Sequence, residues 1–362
     1  MLRTVRCQGK DVPFGAYIET DLLSDNGVLL LKKGTFIDSR VRDILNRYQG
    51  LVVCQVDVSD KVREEVDIGA SVEDDNALVL DNDIKERVLQ GVDYMYSNPG
   101  SEDSVIAAKD TAETLLGVVA DSSSINISLN NLKVCDDYTF RHCVDVATMG
   151  VLVGQKLGMS KKDMNAIAVA GIMHDIGKTQ IPDSILNKPG KLTDEEFKIM
   201  QQHTVYGYNL VKDNHELDEK SKLGILMHHE KCDGTGYPFR LPSEKINIIG
   251  KLLGVVDVYD ALVTKRPYRN DIIEPASALE MMFGMSPQFD IEIFRTFLNC
   301  VVIYPIGTNI MLSNGGVYRV VAQNIGYPLR PVVRDVITQE TLDLLHDTKC
   351  LSLTISGGIS EE

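Results

Sequence analysis

The chain has 362 residues, 44% apolar and 25% charged, a balance that excludes a disordered or fibrous protein and fits two or three domains. Lys and Arg total 37 against 52 Asp and Glu, a net charge of -15, which argues against binding DNA or RNA polymers, because that needs a basic face. No apolar run reaches the ~18 residues that span a bilayer, so no membrane span is expected. Met1-Leu2-Arg3-Thr4 opens no signal-peptide core and the seven Cys include no CxxC pair. A cytoplasmic location is therefore expected, with neither a disulfide scaffold nor a thiolate zinc site.

Residues 1–62 read as a small α/β module. Asn26-Gly27 precedes the apolar run Val28-Leu29-Leu30-Leu31, Asp38 or Ser39 caps a helix to about Tyr48, and Leu51 to Val56 is strand-like. Residues 63–122 form a helical connector: one helix from Ile84 to Tyr96, a break at Asn98-Pro99-Gly100-Ser101, and a second helix to about Val119. Helical signal fills 123–300, the expected catalytic domain. Beyond Tyr304-Pro305-Ile306-Gly307, residues 301–362 read as a small β extension and tail, with a hairpin turned at Asn314-Gly315. The predicted fold is mainly α, a helical core between a small α/β module and a small β module.

Six of the seven His lie between 142 and 229, and the surroundings of five of them, all but His215, set these apart. Val146, Met149 and Val153 follow His142 on one helical face, so His142 turns toward the core. His203 sits on a helix that opens with the capping box Thr193 to Glu196 and shares its face with Met200, Gly207 and Leu210. His174-Asp175 closes the apolar run Ala166 to Met173, with Gly177 at a helix-ending position. His228-His229 repeats the adjacent pair at another helix end. Asp257 stands within an apolar helix, which is costly unless it is paired or ligating. Asp260, three residues on, either orients a ligand or makes an ordinary salt bridge. Imidazole and carboxylate donors suit Fe, Mn or Zn, so a metal site with two ions is expected. His215 and His346 have no such context and read as surface residues.

The run His174-Asp175-Ile176-Gly177-Lys178, with His228-His229-Glu230-Lys231-Cys232-Asp233-Gly234-Thr235-Gly236-Tyr237-Pro238, resembles the HD-GYP subgroup of the HD phosphohydrolase superfamily. The likeness extends from Asp137 through His142, Pro189-Gly190-Lys191-Leu192-Thr193 and His203 to Asp257 and Arg266-Pro267-Tyr268-Arg269. It implies an all-helical phosphodiesterase that hydrolyses cyclic di-GMP with two divalent transition-metal ions, Fe or Mn. By the same likeness, His142, His174, Asp175 and Asp257 bind one ion, and Asp175 bridges to a second held by His203, His228 and His229. A hydroxide between the ions is the implied nucleophile. Lys178 and Arg266 match phosphate-contacting positions, and Gly236, Tyr237 and Pro238 shape a loop beside the base or the metals. Gly326-Tyr327-Pro328 repeats the tripeptide without a His pair and reads as a turn.

Some members hold a third metal through a carboxylate four residues before the first His; Tyr138 stands there, which favours two ions and the linear product pGpG over full breakdown to GMP. Lys231-Cys232 replaces a usual Arg-aromatic pair, and Arg240 replaces a usual Gly. Two other readings stay open. One is a cyclic dinucleotide receptor or adaptor acting through its terminal modules. The other is a hydrolase of another cyclic dinucleotide such as cyclic GMP-AMP. The terminal modules also leave protein partners and a homodimer open.

Overall fold

Short alternating apolar runs at the two ends of the chain form strands, and longer runs of helical period form the middle. The computed structural model describes residues 2–8, 17–23, 29–35, 41, 44–45, 51–57, 82–120, 138–264 and 273–359. It divides into two compact units, Asn76–Ile303 and Met1–Asp75 with Tyr304–Glu362.

In the smaller unit β1 (Leu2–Gln8) pairs antiparallel with β5 (Leu51–Asp57), Val5 facing Cys54, and β2 (Tyr17–Ile18) pairs with the other edge of β5. β3 (Leu22–Leu23) and β4 (Leu29–Leu31) form a second antiparallel pair. Of the helix expected up to Tyr48, Val41, Ile44 and Leu45 are helical and the rest lies outside the described residues. The C-terminal segment builds a five-stranded antiparallel sheet in the order β10-β6-β7-β8-β9. Its strands are β6 (Asn309–Leu312), β7 (Val317–Ala322), β8 (Val332–Asp335), β9 (Thr341–Asp343) and β10 (Ile355–Ile359). Ile310, Leu312, Tyr318, Val320, Val333 and Leu342 are its buried side chains, alternate positions that a pleated strand turns to one face. Asn314-Gly315 turns the hairpin, Asn314 Oδ1 accepting from Gly316 N at 3.0 Å. Gly326-Tyr327-Pro328 is a turn, closed by Tyr327 N donating to Asn324 O at 2.9 Å.

The larger unit is helical: α1 (Asn82–Ser97), α2 (Glu102–Ala120), α3 (Tyr138–Lys156), α4 (Lys161–Met173), α5 (Asp194–Gln201), α6 (His203–Val211), α7 (Glu219–Met227), α8 (Ile248–Val263), α9 (Pro275–Gly284) and α10 (Ile291–Cys300), with a one-turn helix at Asp183–Leu186 and three short 3-10 turns. α1 and α2 pack as a pair, and α2 lies against α4, so the helices expected as a connector belong to this unit. α8 is the central element, burying Ile249, Leu252, Leu253, Val255, Val256 and Tyr259 against α3, α4, α7, α9 and α10. Each large apolar side chain sealed there contributes about 1.5–3 kcal/mol. The Tyr259 ring meets Phe297 edge-on at 5.1 Å. Among the described residues no helix is long and apolar enough to cross a membrane.

The helix read from Thr193 through Leu210 is two helices. α5 ends at Gln201, with the capping box at Thr193 and Glu196 in place, and α6 begins at His203. Gln202 keeps right-handed helical angles (φ -69, ψ -11), so the chain is re-aimed without a Gly or Pro to mark the joint.

Candidate metal centre

Three helix ends and the bodies of two further helices meet at one buried place. His142 projects from α3, His174 caps α4, His203 opens α6, His228 caps α7, and Asp257 comes from α8. All five are buried, as is Asp175, while His229 is half-buried and marks the open side. Two sets of donors arise: His142, His174 and Asp175, and His203, His228 and His229, with the ligand atoms of each set within 4.8 Å of one another.

Asp175 stands between the sets. Its Oδ2 is 3.3 Å from His174 Nε2 and 3.8 Å from His142 Nε2, while its Oδ1 is 3.4 Å from His203 Nε2. Asp257 also spans them, Oδ1 lying 3.1 Å from His142 Nε2 and Oδ2 3.8 Å from His229 Nδ1. The geometry thus gives Asp257 a reach toward the second set that the sequence did not suggest. The turn Ile176–Gln180 follows Asp175 directly and carries Lys178, whose Nζ donates to Asp175 Oδ2 at 2.5 Å. Gly177 in that turn does not take the left-handed backbone of a helix-ending glycine. Its role is close approach: a Cβ there would lie 1.9 Å from His203 O and 2.4 Å from Gly207 N. The missing side chain lets the Asp175 turn sit directly on α6.

The histidine tautomers follow from their partners. Nδ1 of His174, His203 and His228 faces the carbonyls of Gly171, Met200 and Ile225 at 2.7, 2.7 and 2.8 Å. A carbonyl only accepts, so each Nδ1 carries the proton and donates, leaving the Nε2 lone pair aimed into the site. His203 Nε2 then faces His228 Nε2 at 3.4 Å. Burial drives the His203 pKa down to about 4 and holds His228 well below its ordinary value, so at neutral pH two lone pairs point at each other. That contact is repulsive unless a cation sits between them. On the other side, His142 Nε2 meets His174 Nε2 at 3.2 Å, and His142 Nδ1 meets Asp260 Oδ2 at 2.6 Å. Burial works to lower the His142 pKa, but the bonds to Asp257 and Asp260 outweigh it and raise the value to about 10. The proton held there supplies the positive charge that the buried carboxylates demand. Asp175 and Asp257 are held well below the carboxylate range; burial would raise both, and Lys178 with His174 for one, and His142 with His229 for the other, outweigh it. No hydrogen bond reaches Asp175 Oδ1 among the described residues. Convergent imidazole lone pairs, two ionised carboxylates and an orphaned oxygen are the donor set of a transition-metal site. A carboxylate behind a ligating imidazole, as Asp260 stands behind His142, fixes the ring and raises its basicity.

The Gly236-Tyr237-Pro238 loop covers the half-buried side. The Tyr237 ring lies 4.6 Å from His229 at an interplanar angle of 30°. A Cβ on Gly236 would come within 2.4 Å of Lys231 N and 2.5 Å of His229 O, so only glycine allows the loop to fold back on the His pair. Pro238 follows Tyr237 in the same loop. Glu230 holds the loop's far end, Oε1 accepting from Phe239 N at 2.7 Å and Oε2 from Leu241 N at 2.9 Å. No role for Glu230 follows from its place after the His pair, because its partners are made only once the loop turns back. Arg240 lies between those amides with φ 55, left-handed backbone that glycine occupies without strain. A pocket of about 50 Å³ adjoins His228 and His229, walled by Tyr237, Cys232, Lys251 and Phe289. Arg266 lies outside the described residues, as do Lys265 and Arg269. His215 and His346 are exposed.

Fold and donor set together define a helical domain with a buried histidine–carboxylate centre. Residues 129–293 match the family model described as HD domain. The chain is 36% identical over 227 residues to a cyclic di-GMP phosphodiesterase of Pseudomonas aeruginosa, covering 63% of this chain and 55% of that protein. It is 32% identical over 206 residues to a 3'3'-cGAMP-specific phosphodiesterase of Vibrio cholerae, covering 57% of this chain and 38% of that protein. The chain thus spans about half or less of the curated relatives it matches. Among solved structures, an HDG"Y"P protein from Bdellovibrio bacteriovorus shares the fold, with a TM-score of 0.50 at 17% identity over 82% of this chain and 98% of that one. Residues 129–293 are thus an HD-domain segment, similar in sequence to these phosphodiesterases.

Proposed function

We propose that the protein is a metal-dependent phosphodiesterase that hydrolyses cyclic di-GMP to linear pGpG. The observation that carries this reading is the convergence of the Nε2 lone pairs of His174 and His203 on the two oxygens of Asp175, with His228 Nε2 facing His203 Nε2 at 3.4 Å. Two divalent ions, Fe or Mn, fit this donor set. His142, His174, Asp175 and Asp257 would hold one, and His203, His228 and His229, with Asp175, the other. When bound, such ions supply Lewis acidity toward a phosphate and lower the pKa of the attacking water.

The remaining tasks belong to the side chains. Lys178 Nζ, held by a charge-assisted bond to Asp175, is the first phosphate contact in this reading. Arg266 is the second phosphate contact in this reading. Asp260 fixes the His142 ring, and the Tyr237 ring seats His229 while Gly236 and Pro238 set the loop beside the substrate. The positive charge gathered here answers the net charge of -15: a small anionic substrate is drawn to the local field rather than to the overall one. Tyr138 brings no carboxylate to the start of α3, which supports two ions and a stop at pGpG.

The likeness to a 3'3'-cGAMP-specific phosphodiesterase favours cyclic GMP-AMP as the second substrate to try. Replacing His174 and Asp175 together by Ala should abolish both metal binding and hydrolysis while the helical signal is kept. A doubly substituted protein that still cleaves cyclic di-GMP refutes the assignment.

A further inference from the structure

The Tyr96 hydroxyl lies 3.0 Å from Cys143 Sγ, and Cys143 is the residue after His142. Tyr96 belongs to α1, upstream of residues 129–293 that match the HD domain. That helix is firmly seated: Val88, Val92 and Met95 are fully buried along one face, and Tyr96 follows Met95 at its last turn. α1 packs on α3, which carries His142, and on the turn Ile176–Gln180 that follows Asp175. Burial holds the Tyr96 hydroxyl well above its ordinary pKa, and the neighbouring Cys143 and Asp175 add to the rise. The group is therefore protonated at neutral pH.

We propose that Tyr96 is a positioning residue of the metal centre, its hydroxyl fixing through Cys143 the turn of α3 that presents His142. A ligand on a helix is placed by that helix's backbone before its own ring is oriented. Asp260 sets the rotation of the His142 ring, and the Tyr96–Cys143 bond sets where the turn itself stands. The partner comes from a helix outside the matched segment, so the centre is completed by residues ahead of the HD domain. This inference rests on the metal centre of the reading above but not on the identity of the substrate.

The test uses the full chain with Mn(II) as the probe, followed by electron paramagnetic resonance. Tyr96→Phe keeps the ring and its packing and removes only the hydroxyl; Cys143→Ala breaks the same bond from the other side. Each should weaken Mn(II) binding about fivefold, the scale of one lost hydrogen bond, and alter the Mn(II) signal, with the melting temperature of the metal-free protein little changed. In hydrolysis the loss should fall on kcat with KM held. The double variant should cost less than the sum of the two single ones, since both disrupt the same bond. Tyr96→Phe protein with wild-type Mn(II) affinity and signal overturns the proposal, as do effects of the two substitutions that simply add. Wild-type protein that binds no Mn(II) overturns this inference and the metal centre together. Wild-type protein that binds Mn(II) but leaves cyclic dinucleotides intact counts against the proposed activity alone, and the comparison of signals still decides the role of Tyr96.

Discussion

His203, His228 and His229 are neutral in the metal-free protein at pH 7 because burial disfavours their charged forms, with values near 4 for His203 and 3 for His229. An unfolded His titrates near 6.5. Below that pH the unfolded chain takes up protons that the native state refuses, so stability is lost as pH falls from about 6.5 toward 4, by up to about 1.4 kcal/mol per pH unit for each such His. His142 has the opposite sign: its raised value contributes stability that is present below 6.5 and lost as pH rises toward 10. Thermal melts of chelator-treated protein should therefore drop steeply between pH 6.5 and 4, and bound metal should shift that fall to lower pH. A flat profile over the window contradicts buried neutral ligands. At this scale the sequence was most informative where an expensive residue stood in an apolar setting. Asp257 and Asp260 in the run Gly254 to Ala261 announce partners because nothing else repays their burial. The bond from Asp260 to His142 realises one of the two roles the sequence left open. Glu230 and Tyr96 carried no such mark: one is paired by amides of a loop that must first fold back, the other by a cysteine 47 residues downstream.

Helix ends do most of the placing. Three of the histidines sit at a C-cap or the first residue of a helix, where Nδ1 reaches a carbonyl three residues earlier and aims Nε2 outward. The apolar period announced α4 and α8 and the capping box announced α5. The joint at Gln202 was hidden because its angles remain helical. Gly177 was legible as a residue that matters, though for a different reason than a helix stop. The reason lies in the backbone of His203 and Gly207, on a helix distant in the chain, which no local pattern encodes. Gly177→Ala places a Cβ 1.9 Å from His203 O, so the Asp175 turn and α6 must separate. The expected cost is about 2–3 kcal/mol, a fall in melting temperature of roughly 5–10 °C for a unit of this size, together with weakened metal binding. A Gly177→Ala variant that melts and binds metal like the wild type would show that the contact has slack.

At the scale of the molecule, the unit Asn76–Ile303 includes α1 and α2, whereas the family match begins at 129. α2 buries Ala108, Ala112, Leu115 and Val119 and packs on α4. A chain of residues 76–303 should melt cooperatively and bind metal, and one of residues 129–293 should not, because it exposes the faces that α1 and α2 cover. Equal metal binding by both would reduce those helices to a dispensable cover. The mainly helical middle and the flanking strands were readable from the change of period near 84 and after 304; that 82–120 packs into the larger unit was not, since contacts of α1 and α2 with α3, α4 and the Ile176–Gln180 turn decide it. That the protein is a metal-dependent cyclic dinucleotide phosphodiesterase is tested most directly by one measurement on the anaerobically purified 362-residue chain: metal content by elemental analysis, coupled to chromatography of the products formed from cyclic di-GMP. The account predicts two Fe or Mn per chain and conversion to pGpG, with both lost on chelation. Protein that carries two metals and returns cyclic di-GMP unchanged, with cyclic GMP-AMP equally untouched, contradicts it.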